Sequence, residues 1–199
     1  MTLLEYYIEC NKGRWETHGD DVQYRIMRIG DITEVYFQCT VSKRDWLDNF
    51  DVLIVPYRGA RWLAHRGFVR KYKSIADELM VRLADAQQVY FIGFSQGAAL
   101  SVLAHEDYVY RYGKKPTTYA FGCPRVMSWA SIGVRGRFEG CHIYNHRRDI
   151  VGRVPFVCLG YKHVRPVAYL GNSGLWSHLF HYPVEYEREL GKGEIPWNL

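Results

Sequence analysis

The strongest constraint in this chain is Gly93-Phe94-Ser95-Gln96-Gly97, a serine between two glycines. It directly follows the apolar run Val89-Tyr90-Phe91-Ile92 and precedes the small, apolar stretch Ala98–Ala104. A short continuous apolar run reads as a strand buried on both faces, and the stretch after it reads as a helix. A serine at so sharp a strand-to-helix turn must take a strained backbone, which lifts its hydroxyl clear of the sheet. Side chains at Gly93 and Gly97 would collide with the neighbouring strand and helix. The helix also aims its positive end at any negative charge that develops beside the serine.

The remaining segments fit that start. Val22 to Ile29 and Ile32 to Cys39 read as strands joined by the turn Gly30-Asp31, and Asp51 to Tyr57 reads as a buried strand bounded by Pro56. From Gly67 to about Ala86 the period changes. Phe68, Tyr72, Ile75, Leu79 and Leu83 recur at helical spacing among charged residues, predicting a surface helix of about five turns. Thr117 to Phe121 and Cys141 to Tyr144 read as further buried strands, and Glu185 to Leu190 as a closing helix with Pro183 near its first turn. This alternation predicts an α/β fold with a mostly parallel central sheet, antiparallel at its N-terminal edge. With no linker, repeat or low-complexity tract, residues 1–199 read as a single domain.

A reactive serine needs a base, and the base an orienting acid. Asp149, just beyond the strand Cys141–Tyr144, is the favoured acid, with ion pairing to Arg147, Arg148 or Arg153 as the alternative reading. Asp107 sits just past the helix after Ser95, a poorer place. His181 and His178 both lie in the loop before the last helix. His181, ahead of the proline-initiated turn, is preferred and His178 is the alternative base. His142, His146 and His163 fall in or beside strand-like segments and read as structural. The spacing of His178 and His181 supplies no third carboxylate ligand at a familiar offset, so no metal is expected.

Composition narrows the classes. The 48% hydrophobic and 24% charged residues exclude a disordered or collagenous chain. A net charge of +5 without a long basic block or a zinc-finger spacing argues against a nucleic-acid partner. The five cysteines form no CxxC pair and read as reduced thiols. Met1 to Glu9 carries acids where an export signal needs basic then apolar residues, and no apolar run approaches membrane-spanning length; a cytoplasmic protein is expected. Aromatic content is high at 16%, with 16 tyrosines and 6 tryptophans. Phe68, Tyr72, Tyr90, Phe91 and Phe121 are assigned to the core by their helix and strand patterns, which leaves Trp46, Phe50, Trp62 and Trp176 as candidates for an apolar rim.

Ordered motifs between residues 37 and 190 then resemble those of the class 3 lipase family, the fungal-type triacylglycerol lipases. They are Phe37-Gln38-Cys39-Thr40 with Asp45-Trp46, His65-Arg66-Gly67-Phe68 and the elbow Val89 to Leu100. Phe121-Gly122-Cys123-Pro124-Arg125-Val126 follows, then Asn145 with Asp149-Ile150-Val151 and Pro155, Tyr161-Lys162-His163-Val164, and His181, Tyr186 and Leu190. The resemblance implies an α/β-hydrolase with helices on both faces of the sheet and the nucleophile elbow at 93–97. Ser95 would be the nucleophile, His181 the base and Asp149 its orienter. The backbone N–H groups of Gln96 and Thr40 would form the oxyanion hole, with no cofactor. Gln38-Cys39 replaces the family's arginine–glycine, and the aspartate usual before the histidine is absent.

The implied function is a serine carboxylester hydrolase acting on lipid acyl esters, in transient contact with a membrane or micelle surface. Arg58, Arg61, Arg66, Arg70 and Lys71 near a short candidate lid, Lys43 to Leu63, would favour anionic phospholipid or would simply be solvated. A soluble short-chain esterase or thioesterase with the same triad is one alternative. A lipase-like interaction module that leaves the triad unused is another. Oligomeric state is not written in the sequence.

Overall fold

The computed structural model describes residues 1–12, 15–39, 53–58, 62–131 and 135–193. In chain order the strands are β1 (Glu16–His18), β2 (Val22–Ile29), β3 (Ile32–Phe37), β4 (Ile54–Arg58), β5 (Trp62–His65) and β6 (Gln88–Phe94). They continue as β7 (Thr117–Phe121), β8 (Met127–Ser128), β9 (Cys141–His146), β10 (Tyr161–Lys162) and β11 (Val167–Leu170). The helices are α1 (Leu3–Glu9), α2 (Arg66–Lys73), α3 (Ala76–Leu83), α4 (Gln96–Tyr112) and α5 (Pro183–Gly191).

The central sheet has the order β1-β2-β3-β6-β7-β9-β11. From β3 to β11 every neighbouring pair is parallel, and β1, β2 and β3 pair antiparallel. Alternate residues of the inner strands feed two cores. Val35, Phe37, Val89 and Phe91 pack with Leu79 and Leu83 of α3 and Leu103 of α4. Tyr36, Ile92, Phe94 and Phe121 pack on the opposite face with Tyr7 of α1 and Tyr186 and Leu190 of α5. Helices therefore cover both faces, which is why the central strand β6 contains the unbroken apolar run Val89 to Ile92. The expected sheet, with its antiparallel N-terminal edge, is present.

Three local expectations need correction. The segment Asp51 to Tyr57 is not a strand of the central sheet, although Tyr57 is buried in the main core. Residues 51 and 52 lie outside the described residues, Leu53 is exposed, and β4 is the edge of a second sheet ordered β10-β8-β5-β4. Pro56 sits within β4 at a register shift against β5, where an edge strand tolerates the missing N–H. The helix expected over Gly67–Ala86 is two helices, α2 and α3. Ser74 Oγ donates to the Lys71 carbonyl (2.7 Å) and accepts from the Asp20 N–H (2.9 Å). It thereby competes with the helical ladder and docks the β1–β2 turn on the break. The apolar face keeps its phase across that break, since Phe68, Tyr72, Ile75, Leu79 and Leu83 are all buried. Finally, β3 ends at Phe37 instead of Cys39.

Candidate active site

Ser95 joins β6 to α4 with φ +58° and ψ −119°, a left-handed backbone that non-glycine residues rarely adopt. Bonds on both sides hold it there: the Ser95 N–H donates to the Phe121 carbonyl (2.9 Å), and its own carbonyl accepts from the Ala99 N–H (3.2 Å). The flanking glycines leave no room for anything larger. A Cβ on Gly93 would stand 2.3 Å from the Gly97 carbonyl, and one on Gly97 would stand 2.3 Å from the Phe37 carbonyl oxygen. Strand β3, helix α4 and the serine turn thus meet at backbone contact.

The His181 imidazole lies between two oxygens. Its Nε2 is 2.7 Å from Ser95 Oγ, and its Nδ1 is 2.7 Å from Asp149 Oδ2. A carboxylate only accepts, so Nδ1 carries the proton and Nε2 turns its lone pair to the serine hydroxyl. The ring stacks on Phe94 with centroids 4.8 Å apart. Gly122, at φ +56°, clears the remaining side, because a Cβ there would press on both Phe94 and His181. His178 is exposed, at the other end of the same 3-10 turn, His178–His181. The turn brings His181, not His178, to Ser95.

Asp149 is buried beyond the end of β9. Its Oδ1 accepts from the Val151 N–H (2.8 Å), and its Oδ2 accepts from the Tyr186 hydroxyl (2.6 Å) as well as from His181. Its partners are these groups and not the neighbouring arginines. Asp107 lies within α4 instead of past it, buried against the Tyr72 hydroxyl and Arg111. His142 and His146 belong to β9, and His163 Nε2 meets the Gly152 carbonyl (2.8 Å).

Sequence reasoning placed Tyr186 in the closing motif without a role. Its hydroxyl donates to Asp149 Oδ2 and accepts from the His146 N–H (2.9 Å), so one buried oxygen ties the acid to the end of β9. Burial, and the carboxylate it faces, push the phenol well above its ordinary value and keep it a donor. Tyr7 of α1 stacks on Tyr186 (5.9 Å) and donates to the Pro183 carbonyl at the start of α5 (2.9 Å). The spacing of Tyr186 five residues after His181 is the only sequence signal for this. Tyr186→Phe is expected to lower ester turnover about 10-fold, the equivalent of ~1.4 kcal/mol for a hydrogen bond to a charged group. Initial-rate kinetics beside a melting curve will separate that loss from destabilisation.

Gln96 opens α4, and its backbone N–H lies next to the nucleophile. Thr40 lies outside the described residues, as do Asp45, Trp46, Phe50 and most of the candidate lid. Cys39, half-buried, interacts with both the Ser95 hydroxyl and the Gln96 N–H. Burial pushes its thiol up from the ordinary value, so an uncharged S–H stands beside the serine where the family's glycine would leave space. Among the described residues, no group of three or more His, Cys, Asp or Glu side chains is placed to hold a metal ion. No helix among them is long and apolar enough to cross a membrane.

Comparison with known proteins bears on this geometry. Over 138 residues, 65% of this chain, the sequence is 28% identical to the secreted mono- and diacylglycerol lipase A of Penicillium cyclopium. That match takes in 45% of the relative, so the chain spans about half the length of the curated relatives it matches. The structure superposes on the Rhizomucor miehei lipase propeptide complex with a TM-score of 0.70 at 20% identity, covering 80% of this chain and 56% of that one. The mono- and diacylglycerol lipase of Aspergillus oryzae gives 0.68 at 20% identity, covering 79% and 62%. These likenesses establish the α/β-hydrolase fold. The family described as lipase (class 3) matches residues 34–158, from β3 through the elbow to the segment beyond Asp149. More than half of the sequence lies in that match, and the chain belongs to the class 3 lipase family.

Proposed function

We propose that this chain is a serine carboxylester hydrolase that cleaves acyl esters of lipids through Ser95, His181 and Asp149. The observation that carries the reading is the single imidazole 2.7 Å from both the serine and the carboxylate oxygen. As Ser95 Oγ attacks the ester carbonyl carbon, its proton passes to His181 Nε2. The carbonyl oxygen becomes an oxyanion, and the Gln96 N–H at the head of α4 supplies one donor to it, with the Thr40 N–H as the second. Losing one such donor typically costs about 10²–10³ in turnover. Asp149 stabilises the imidazolium and holds its tautomer. His181 then returns the proton to the departing alcohol, leaving an acyl group on Ser95. Water, deprotonated by the same Nε2, releases the fatty acid and restores the serine.

The relatives named above, a lipase and mono- and diacylglycerol lipases, support acylglycerols as the substrate class. A fluorophosphonate probe tests the reading directly. It forms a covalent adduct only with an activated serine, so the expected product is a single adduct that peptide mass spectrometry maps to Ser95. An intact protein that takes up no probe would instead identify a lipase-like fold used for interaction.

A further inference from the structure

The loop leading into the candidate base carries a feature that the hydrolytic reading does not use. Leu175 is 87% exposed, Trp176 53% and Leu179 54%, three large apolar side chains within five residues. Arginines lie against the same loop. The Arg148 guanidinium is 3.9 Å from the Phe180 ring centroid, and its Nε donates to the Leu175 carbonyl (3.4 Å). The Arg153 guanidinium is 4.3 Å from the Trp176 ring. Arg147 is exposed nearby, 5.6 Å from the Tyr169 ring that Arg153 also covers. None of these three arginines forms an ion pair among the described residues. Between Asp149 and Glu185 the sequence carries no acid, and its only Lys and Arg residues are Arg153, Lys162 and Arg165, so no carboxylate in that segment offsets the arginines beside the loop.

We infer that the 172–180 loop is a docking surface for a bilayer that contains anionic phospholipid. Exposed leucines and a tryptophan gain by entering the acyl boundary, while guanidinium groups at the same level meet lipid phosphates in bidentate hydrogen bonds. A protein partner would have to offer both an apolar cleft and several carboxylates at one depth; an anionic bilayer presents that pairing everywhere. The loop is also braced. The Ser177 N–H donates to the Arg148 carbonyl (2.8 Å), and Asp149 and Ser177 form a parallel bridge. A docked loop would therefore hold the Asp149–His181 side of the site towards the lipid. The inference extends the lipid-ester reading of Ser95, but the binding itself does not depend on it.

The test is cosedimentation of the Ser95→Ala chain, which leaves lipid uncut, with vesicles of phosphatidylcholine alone or mixed with phosphatidylglycerol. Binding is expected with the mixed vesicles and at least about tenfold more weakly without the anionic lipid. Leu175→Ser with Leu179→Ser should weaken binding to mixed vesicles by about tenfold or more, from the lost apolar burial. Replacing Arg148 and Arg153 by Gln should cost about fivefold per charge on mixed vesicles, and replacement by Lys much less. Equal binding to both vesicle types, or undiminished binding by the double serine variant, overturns the inference. With Ser95 restored, that variant should still hydrolyse a water-soluble short-chain ester. If the parent chain cleaves no ester at all, the hydrolase reading fails, and the vesicle result still decides the docking surface on its own.

Discussion

Ser95→Ala is expected to lower kcat for a fatty-acyl ester by roughly 10⁴–10⁶-fold, the range seen when a member of such a triad is removed. The variant keeps the Cβ and hence the positive φ, so its melting temperature should stay close to that of the parent. Ser95→Gly is as inactive but behaves differently. Removing the Cβ relieves a backbone conformation that costs about 1–3 kcal/mol, so this variant should melt higher than the parent. The two variants together separate chemistry from folding. Retained turnover in a well-folded alanine variant would remove Ser95 from the mechanism. A glycine variant that melts lower would mean that the turn carries no strain. Initial rates on a short-chain ester and calorimetry are sufficient for both measurements.

Gly97→Ala is expected to destabilise the fold by about 3 kcal/mol or more. The added methyl would stand 2.3 Å from the Phe37 oxygen and 2.9 Å from its carbonyl carbon. Both are backbone atoms of β3, so no side chain can swing aside; either the strand or the first turn of α4 must move. Movement of either would also displace the Gln96 N–H, so activity should fall even where the variant still folds. Gly30→Ala is the control. Gly30, unlike Gly97, has a positive φ, +58°, but a Cβ there meets nothing within 4 Å, so only the intrinsic left-handed penalty of about 1 kcal/mol applies. Urea denaturation of the two variants should differ clearly. Similar midpoints would show that contact at the elbow is not what requires glycine.

What the sequence disclosed follows from how locally each feature is determined. Strand β6 and the glycines of the elbow were legible because burial on both faces leaves a continuous apolar run, and because the turn selects glycine on each side of the serine. Strand β7 also matched the expected Thr117–Phe121, a short β-branched and aromatic run. The β4 segment was misplaced because apolar content reports burial without saying in which sheet, and Pro56 was the clue to an edge. Helix α1 and strands β5 and β11 went unread. They are short, and α1 buries Tyr6 and Tyr7 only through contacts far along the chain. The choice between His181 and His178 depended on the space beside Gly122 and on the ring of Phe94, which no spacing rule encodes. The same is true of Tyr186, whose partners Asp149 and His146 lie 37 and 40 residues away.

The bond from Tyr7 to Pro183 closes a loop across a separation of 176 residues. Closing so long a loop costs conformational entropy, though that cost grows only slowly with its length. The elbow joins elements adjacent in sequence, β6 and α4, whereas the seat of the base is completed by a contact from the far side of the chain. Competence for chemistry thus depends on α1 meeting α5, since Tyr7 packs on Tyr186 and Tyr186 in turn holds Asp149.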